Sequence, residues 1–183
     1  MLLAIARASG SRQTARRAAW QAAAFPSAKI DNMQISAKAD YAVRAVLELA
    51  AHGPELVKSE LLISHQELPR KFVEAILGEL RRAGLVRSQR GADGGYALTR
   101  APSKITIGAI VRAVDGPLAE VRGLRPHDMT YQGAAQHLPE VWIAVRASLR
   151  RVMDDTTVAQ VLDGHLPAHV RRMVDAPDAW LPR

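Results

Sequence analysis

The sequence predicts a mainly α-helical protein interrupted by one two-stranded antiparallel hairpin. Three observations carry this. Apolar residues recur at helical spacing in separate stretches between Ser36 and Asp155. The composition is 48% hydrophobic but only 4% aromatic, with Ala and Leu prominent, which suits helices. The clear strand–turn–strand pattern is the segment from Val86 to Thr99, where Arg90-Gly91-Ala92-Asp93-Gly94-Gly95 separates Val86–Gln89 from Tyr96–Thr99. A chain of 183 residues buries a real core, and one domain with an appendage is expected. No apolar run approaches the roughly 18 residues of a membrane span, so a soluble protein is expected, and the lack of cysteine fits a reducing, cytoplasmic compartment.

The elements follow in order. Residues 1–32 hold five Lys/Arg against Asp31 alone and are Ala-rich. A flexible basic arm, a transit-like peptide and sequence upstream of the true start compete here. The last is favoured, because Met33-Gln34-Ile35-Ser36 directly precedes the first organised element. Ser36 suits an N-cap for helix 1, which runs to Ala51 with Val43, Val46, Leu47 and Ala50 as its core stripe. Lys38 lies off that stripe near the helix start, where a phosphate is one partner and plain solvation, the commoner case, another. His52-Gly53-Pro54 ends the helix.

Ser59 is expected to cap a short helix 2 over Glu60–Ser64, with His65 to Leu68 as a turn. Pro69 suits the first position of helix 3, which runs to Ala83. Val73, Ile76, Leu77 and Leu80 face the core, and Arg70, Lys71, Glu74, Gly78 and Arg82 lie mostly opposite. A short helix, a tight turn and a longer helix with a basic outer face make a helix-turn-helix. Taken alone, an ordinary helical hairpin with a solvated charged face is the better explanation of the pair. The hairpin that follows Gly84 decides for a winged helix-turn-helix, with helix 3 for the major groove and the wing for a neighbouring groove or the phosphates. Arg90 at the wing tip suits a narrow minor groove, and Gly91 and Gly94 allow close backbone approach. The glycines do not make a phosphate loop, since no Gly-Lys-Ser/Thr or helix follows them.

After Pro102, Ile107, Ile110, Val111 and Val114 form helix 4, closed by Asp115-Gly116-Pro117. Residues 118–138 form a linking loop. His127, Asp128 and His137 fall within it, but their spacing matches no metal motif. Leu138, Val141, Trp142, Val145, Leu149, Val152 and Met153 then form the longest apolar stripe, on a helix from Pro139 to Asp155. That stripe predicts a homodimer seam, with folding back on its own domain as the alternative. Thr157 caps a short helix over Val158–Leu162, and beyond His165 a loose tail is expected, docked by Trp180. The domain division is an extension at 1–32, a winged helix at 33–117, a loop at 118–138, dimerisation helices at 139–166 and a tail at 167–183.

Charge and composition narrow the function. The net charge is +7, of which residues 1–32 carry +4 and residues 33–104 carry +3, while residues 105–183 balance nine basic against nine acidic groups. The excess therefore lies where phosphate neutralisation requires it. The chain has no cysteine, which excludes disulfides, thiol catalysis and thiolate-held zinc or iron–sulfur sites. No Ser-His-Asp set or framed carboxylate pair points to an enzyme.

With these motifs in place, the chain resembles the Rrf-two family of bacterial winged-helix transcription factors. The matching stretches are MQISAKADYAVRA from Met33, LRRAGLVRSQRGADGGYALTR from Leu80, ITIGAIVRAVDGPL from Ile105, LPEVW from Leu138 and DDTTVAQVL from Asp154. They span about Met33 to Leu166. The resemblance implies a nucleoid-associated regulator, a repressor by expectation, that dimerises on the long helix and binds a palindromic double-stranded DNA operator. It places Lys71 and Glu74 at base edges, Arg70 at phosphates or bases and Arg90 in the minor groove. Many relatives hold an iron–sulfur cluster on three loop cysteines, whose places fall at about Leu124, Thr130 and Gln136. No cofactor of that kind is expected. The wing also departs, since Asp93 would sit near phosphates. A small-molecule effector, a partner protein and autoregulation alone remain open as the signal. A winged-helix scaffold for a partner protein is the alternative function.

Overall fold

Residues 35–181 are described by the structure, a computed structural model. The basic extension at 1–32 and the proposed start at Met33 lie outside the described residues. Helix α1 spans Ala37–Ala51, and Ser36 caps it by accepting the Ala39 N–H at 2.9 Å. Its buried face differs from the expected stripe. Ala39, Ala42, Ala45, Val46 and Leu49 are buried, whereas Val43 and Leu47 sit half-buried at the edge. The reason is crowding: α1 touches nearly every other element of the core, and small alanines allow the close approach.

Helix α2 covers Ser59–Gln66, one residue earlier and two later than expected, and Lys58 rather than Ser59 is its N-cap. It continues through His65 and Gln66 because both side chains reach the buried carboxylate of Glu48 on α1, at 2.9 and 2.6 Å. The turn shrinks to Glu67, in the left-handed region at φ 51°, and Leu68. Pro69 is the N-cap of α3, Arg70–Arg82, one position before its expected place. Val73, Ile76, Leu77 and Leu80 are buried as their spacing requires. Helix α3 ends in two reversed hydrogen bonds of 3.0 Å, Leu85 N–H to the Leu80 carbonyl and Gly84 N–H to that of Arg81. This ending places Gly84 at φ +69°, where an L side chain is strained.

Strands β1, Val86–Gln89, and β2, Gly95–Leu98, pair antiparallel from Val86 opposite Leu98 to Gln89 opposite Gly95. A third segment joins them: Val57 and Tyr96 exchange two backbone hydrogen bonds of 2.8 Å. The wing is thereby tied to the chain before α2.

Helix α4, Ile107–Asp115, starts from a Thr106 cap and packs on α1 and α3. The linking loop contains short 3-10 turns at Pro126–Asp128 and Gly133–Ala135, with Pro126 and Met129 buried. Helix α5 runs Leu138–Met153, and α6, Val158–Leu162, opens with a Thr157–Gln160 capping box. Ile107 and Val158 bond back to Thr156 and Ile105, each at 2.9 Å, which seats α6 against α1. The expected loose tail is corrected. Residues Ala168–Val174 form a further helix, α7, because Val170 is buried and His169 Nε2 lies 2.8 Å from the Arg151 carbonyl oxygen. Trp180 does not dock the tail. Its ring is 78% exposed, and its Nε1–H only bonds the Val174 carbonyl of the same segment, at 2.8 Å.

Candidate nucleic-acid interface

The exposed face of α3 starts where Pro69 ends the turn. Val73, Ile76, Leu77 and Leu80 consume the inner face, so helical geometry drives Arg70, Lys71, Glu74 and Ala75 outward. Arg70 is 73% exposed and makes a long 3.9 Å ion pair to Glu60 at the start of α2. The Glu60 carboxyl lies below its ordinary range because its own backbone N–H donates to it, against some burial, with help from Ser59, Arg70 and Lys58. Lys71 Nζ lies 5.1 Å from the centre of the Phe72 ring, and Glu74 is exposed.

The wing supplies a second exposed group. Gln89 and Gly95 form the last strand pair, so Arg90 is the first residue of a five-residue loop, beside the strand end and two residues before the loop's middle at Ala92. Gly94 and Gly95 are required by packing. A Cβ on Gly94 would run into the Gln89 carbonyl oxygen, and one on Gly95 would lie 2.7 Å from the Val57 carbonyl oxygen. Gly91, at φ +110°, faces open space. Gly94 thus closes the loop, and Gly91 is the glycine with room for a close external approach.

Other cations are engaged inside the chain. Lys38 Nζ lies 3.3 Å from Glu79 and 3.8 Å from Asp115, tying the start of α1 to α3 and α4. Ser36 Oγ also donates to Asp115, at 2.5 Å. Arg81 donates to Ser88 Oγ at 3.2 Å and Arg87 to the Pro54 carbonyl at 3.1 Å, bracing the wing. Sequence reasoning missed two features near this surface. Tyr41 on α1 and Phe72 on α3 lie 6.2 Å apart with Arg44 and Lys71 beside them, and one of the chain's two Phe residues is left 41% exposed. The only sequence signal was that Phe in a polar run. The second is Glu48, whose acid stands on a helix face otherwise built of alanine and aliphatic residues. Burial pushes its carboxyl up, but hydrogen bonds from Gln66 and His65 and the charge of His65 and His52 leave it below its ordinary value.

On α5 no residue is fully buried. Leu138, Trp142, Val145, Leu149, Val152 and Met153 are half-covered, mainly by the Pro126–Asp128 turn, while Val141 and Ile143 are 52% and 45% exposed. Trp142 Nε1 and Arg146 Nε are buried without a hydrogen-bond partner, although an Arg146 Nη donates to His127 at 3.2 Å. In the preceding loop, Leu124, Thr130 and Gln136 are all exposed and none is a thiolate. Among the described residues, no three His, Cys, Asp or Glu side chains are placed to hold a metal ion. This donor set does not fit an iron–sulfur cluster.

The profile of the Rrf2 family, described as an iron-dependent transcriptional regulator, matches residues 35–164. The chain belongs to the Rrf2 family. It is 46% identical over 144 residues to Rv1287, a Mycobacterium tuberculosis protein named as an HTH-type transcriptional regulator, covering 78% of this chain and 89% of that one. Against the regulator CymR of Bacillus subtilis it is 35% identical, covering 75% and 98%. The solved structure of that CymR, described as the global cysteine regulator of its organism, aligns with a TM-score of 0.60 over 72% of this chain and 97% of that one. IscR of T. potens aligns at 0.58 with 30% identity, over 82% and 93%. This Rrf2 protein is accordingly a winged-helix, DNA-binding transcriptional regulator and not an enzyme. Among the described residues, no helix is long and apolar enough to cross a membrane.

Proposed function

We propose that this Rrf2 protein is a dimeric, cytoplasmic, nucleoid-associated repressor that reads a palindromic operator without an iron–sulfur cluster. One observation carries the assignment of the reading surface. Lys71, Glu74 and Arg90 are exposed and form no ion pair among the described residues, while Lys38, Arg81 and Arg87 around them are bound within the chain. Groups kept free at that density of charge suit an external partner made of phosphates and base edges. In this reading Lys71 and Glu74 meet bases in the major groove, Glu74 accepting from a cytosine N4 amine. Arg70 exchanges its weak contact with Glu60 for a phosphate, and Arg90 enters the minor groove as Gly91 lets the loop approach. Lys38 acts first as a tie between helices and reaches phosphate only by exchanging its two carboxylates.

The seam on α5 supports the dimer. Leu138, Val141, Trp142, Val145, Leu149 and Val152 are too exposed for a finished core, and such a stripe on a long helix suits a second copy of the chain. Selection of bound sequences from a random duplex pool tests the whole reading. A palindrome with half-sites about one helical turn apart is the expected result. Enrichment of no motif would refute it. Binding that vanishes at physiological salt would mark the contact as non-specific.

A further inference from the structure

Helices α5 and α7 flank an open groove of about 460 Å³, away from the proposed DNA-reading surface. Its volume falls within the roughly 300–1,000 Å³ of small-molecule sites. Val152, Met173 and Ala176 give it an apolar lining, and Met173 is 54% exposed there. Arg151 and Arg172 also line it, one from each helix. Neither guanidinium has a carboxylate within salt-bridge distance among the described residues; the nearby Asp155 is drawn instead to His169, at 3.4 Å. Cations near helix C-termini are favourable in themselves, which explains why each helix carries an Arg in its last turn. It does not explain why two arginines without a carboxylate partner line one apolar groove. His169, a third polar lining group, is held by the Arg151 carbonyl oxygen at 2.8 Å, so the walls are joined by a fixed contact.

We propose that this groove is a binding site for a small organic anion, a carboxylate or similar head on an apolar tail. The head lies between Arg151 and Arg172, which suit a planar two-oxygen anion, and the tail lies against Met173 and Ala176. The site does not depend on DNA binding and is tested without it. The 183-residue chain is titrated calorimetrically with sodium decanoate, and in parallel with decyltrimethylammonium, which has the same tail and the opposite charge. The expected result is saturable decanoate binding with a dissociation constant below about 1 mM. The cation should bind at least tenfold more weakly. Arg151→Gln and Arg172→Gln, both at exposed positions and checked for native circular dichroism, should each weaken decanoate binding at least fivefold. Absence of decanoate binding, equal binding of the cation, or unchanged binding by both variants would overturn the proposal. So would a second copy in the groove, seen as a sedimentation shift to monomer in Met173→Asp together with no decanoate uptake by the wild-type protein.

Discussion

Replacing Gly95 by alanine tests how the wing is held. A Cβ at this position would stand 2.7 Å from the Val57 carbonyl oxygen and 2.9 Å from its carbon, and both are backbone atoms that cannot swing aside. Relief requires Val57 and Tyr96 to part, which breaks or lengthens their two 2.8 Å hydrogen bonds. Each is worth about 0.5–1.5 kcal/mol net, and overpacking a tight site adds about 1–3 kcal/mol. The two costs overlap, because parting the strands relieves the clash, so a loss of about 2–4 kcal/mol is expected. Gly78 on α3 is the internal control. The nearest atom to its would-be Cβ is the mobile Arg82 guanidinium at 3.6 Å, so Gly78→Ala should stabilise by about 0.5–1 kcal/mol through helix propensity. Urea unfolding at fixed protein concentration reads both, the concentration being held because association shifts apparent stability. A Gly95→Ala variant within about 0.5 kcal/mol of wild type would refute the third-strand tie.

Four further outcomes are expected. Arg90→Ala should weaken specific operator binding by about 1–3 kcal/mol in fluorescence anisotropy, and wild-type affinity would remove the wing from the interface. Lys38→Ala should lower stability by less than about 1 kcal/mol and leave the salt dependence of DNA binding unchanged, since its partners are carboxylates of the chain. A salt slope smaller by about one would return Lys38 to the phosphate contacts. The Glu48 carboxyl is depressed below its ordinary 4.5, so its stabilising contribution is complete above that pH and disappears as pH falls through the folded value. Glu48→Gln should therefore show a shallower acid decline than wild type in urea midpoints measured below pH 4.5; parallel curves would disprove the linkage. Finally, Val141→Asp alters a side chain that is 52% exposed, so the protomer should stay folded while sedimentation shifts from dimer to monomer. An unchanged dimer would move the seam off this face.

The hairpin and helix α3 were legible in the sequence because their determinants are local. Gly84 is the one residue type that tolerates the reversed ending of α3, and the glycines after Arg90 mark the wing wherever the chain carries them. Val73, Ile76, Leu77 and Leu80 impose a buried face by spacing alone, which leaves Arg70, Lys71 and Glu74 outside. The absence of cysteine likewise disposed of a thiolate-held cluster from the sequence alone. Tertiary structure decided everything that depends on partners distant in the chain. Whether Lys38 is free or engaged rests on Glu79 and Asp115, and the length of α2 rests on a carboxylate 17 and 18 residues earlier. The alanine face of α1 became core because five elements converge on it, although its alanines carry a weaker hydrophobic signal than Val43 and Leu47 beside them. The same physics turned a proline-bearing tail into α7, since one buried Val170 and one His169 contact supply the anchoring that local propensity lacks. Periodicity and turn chemistry are written along the chain; which charges are neutralised is written only across it.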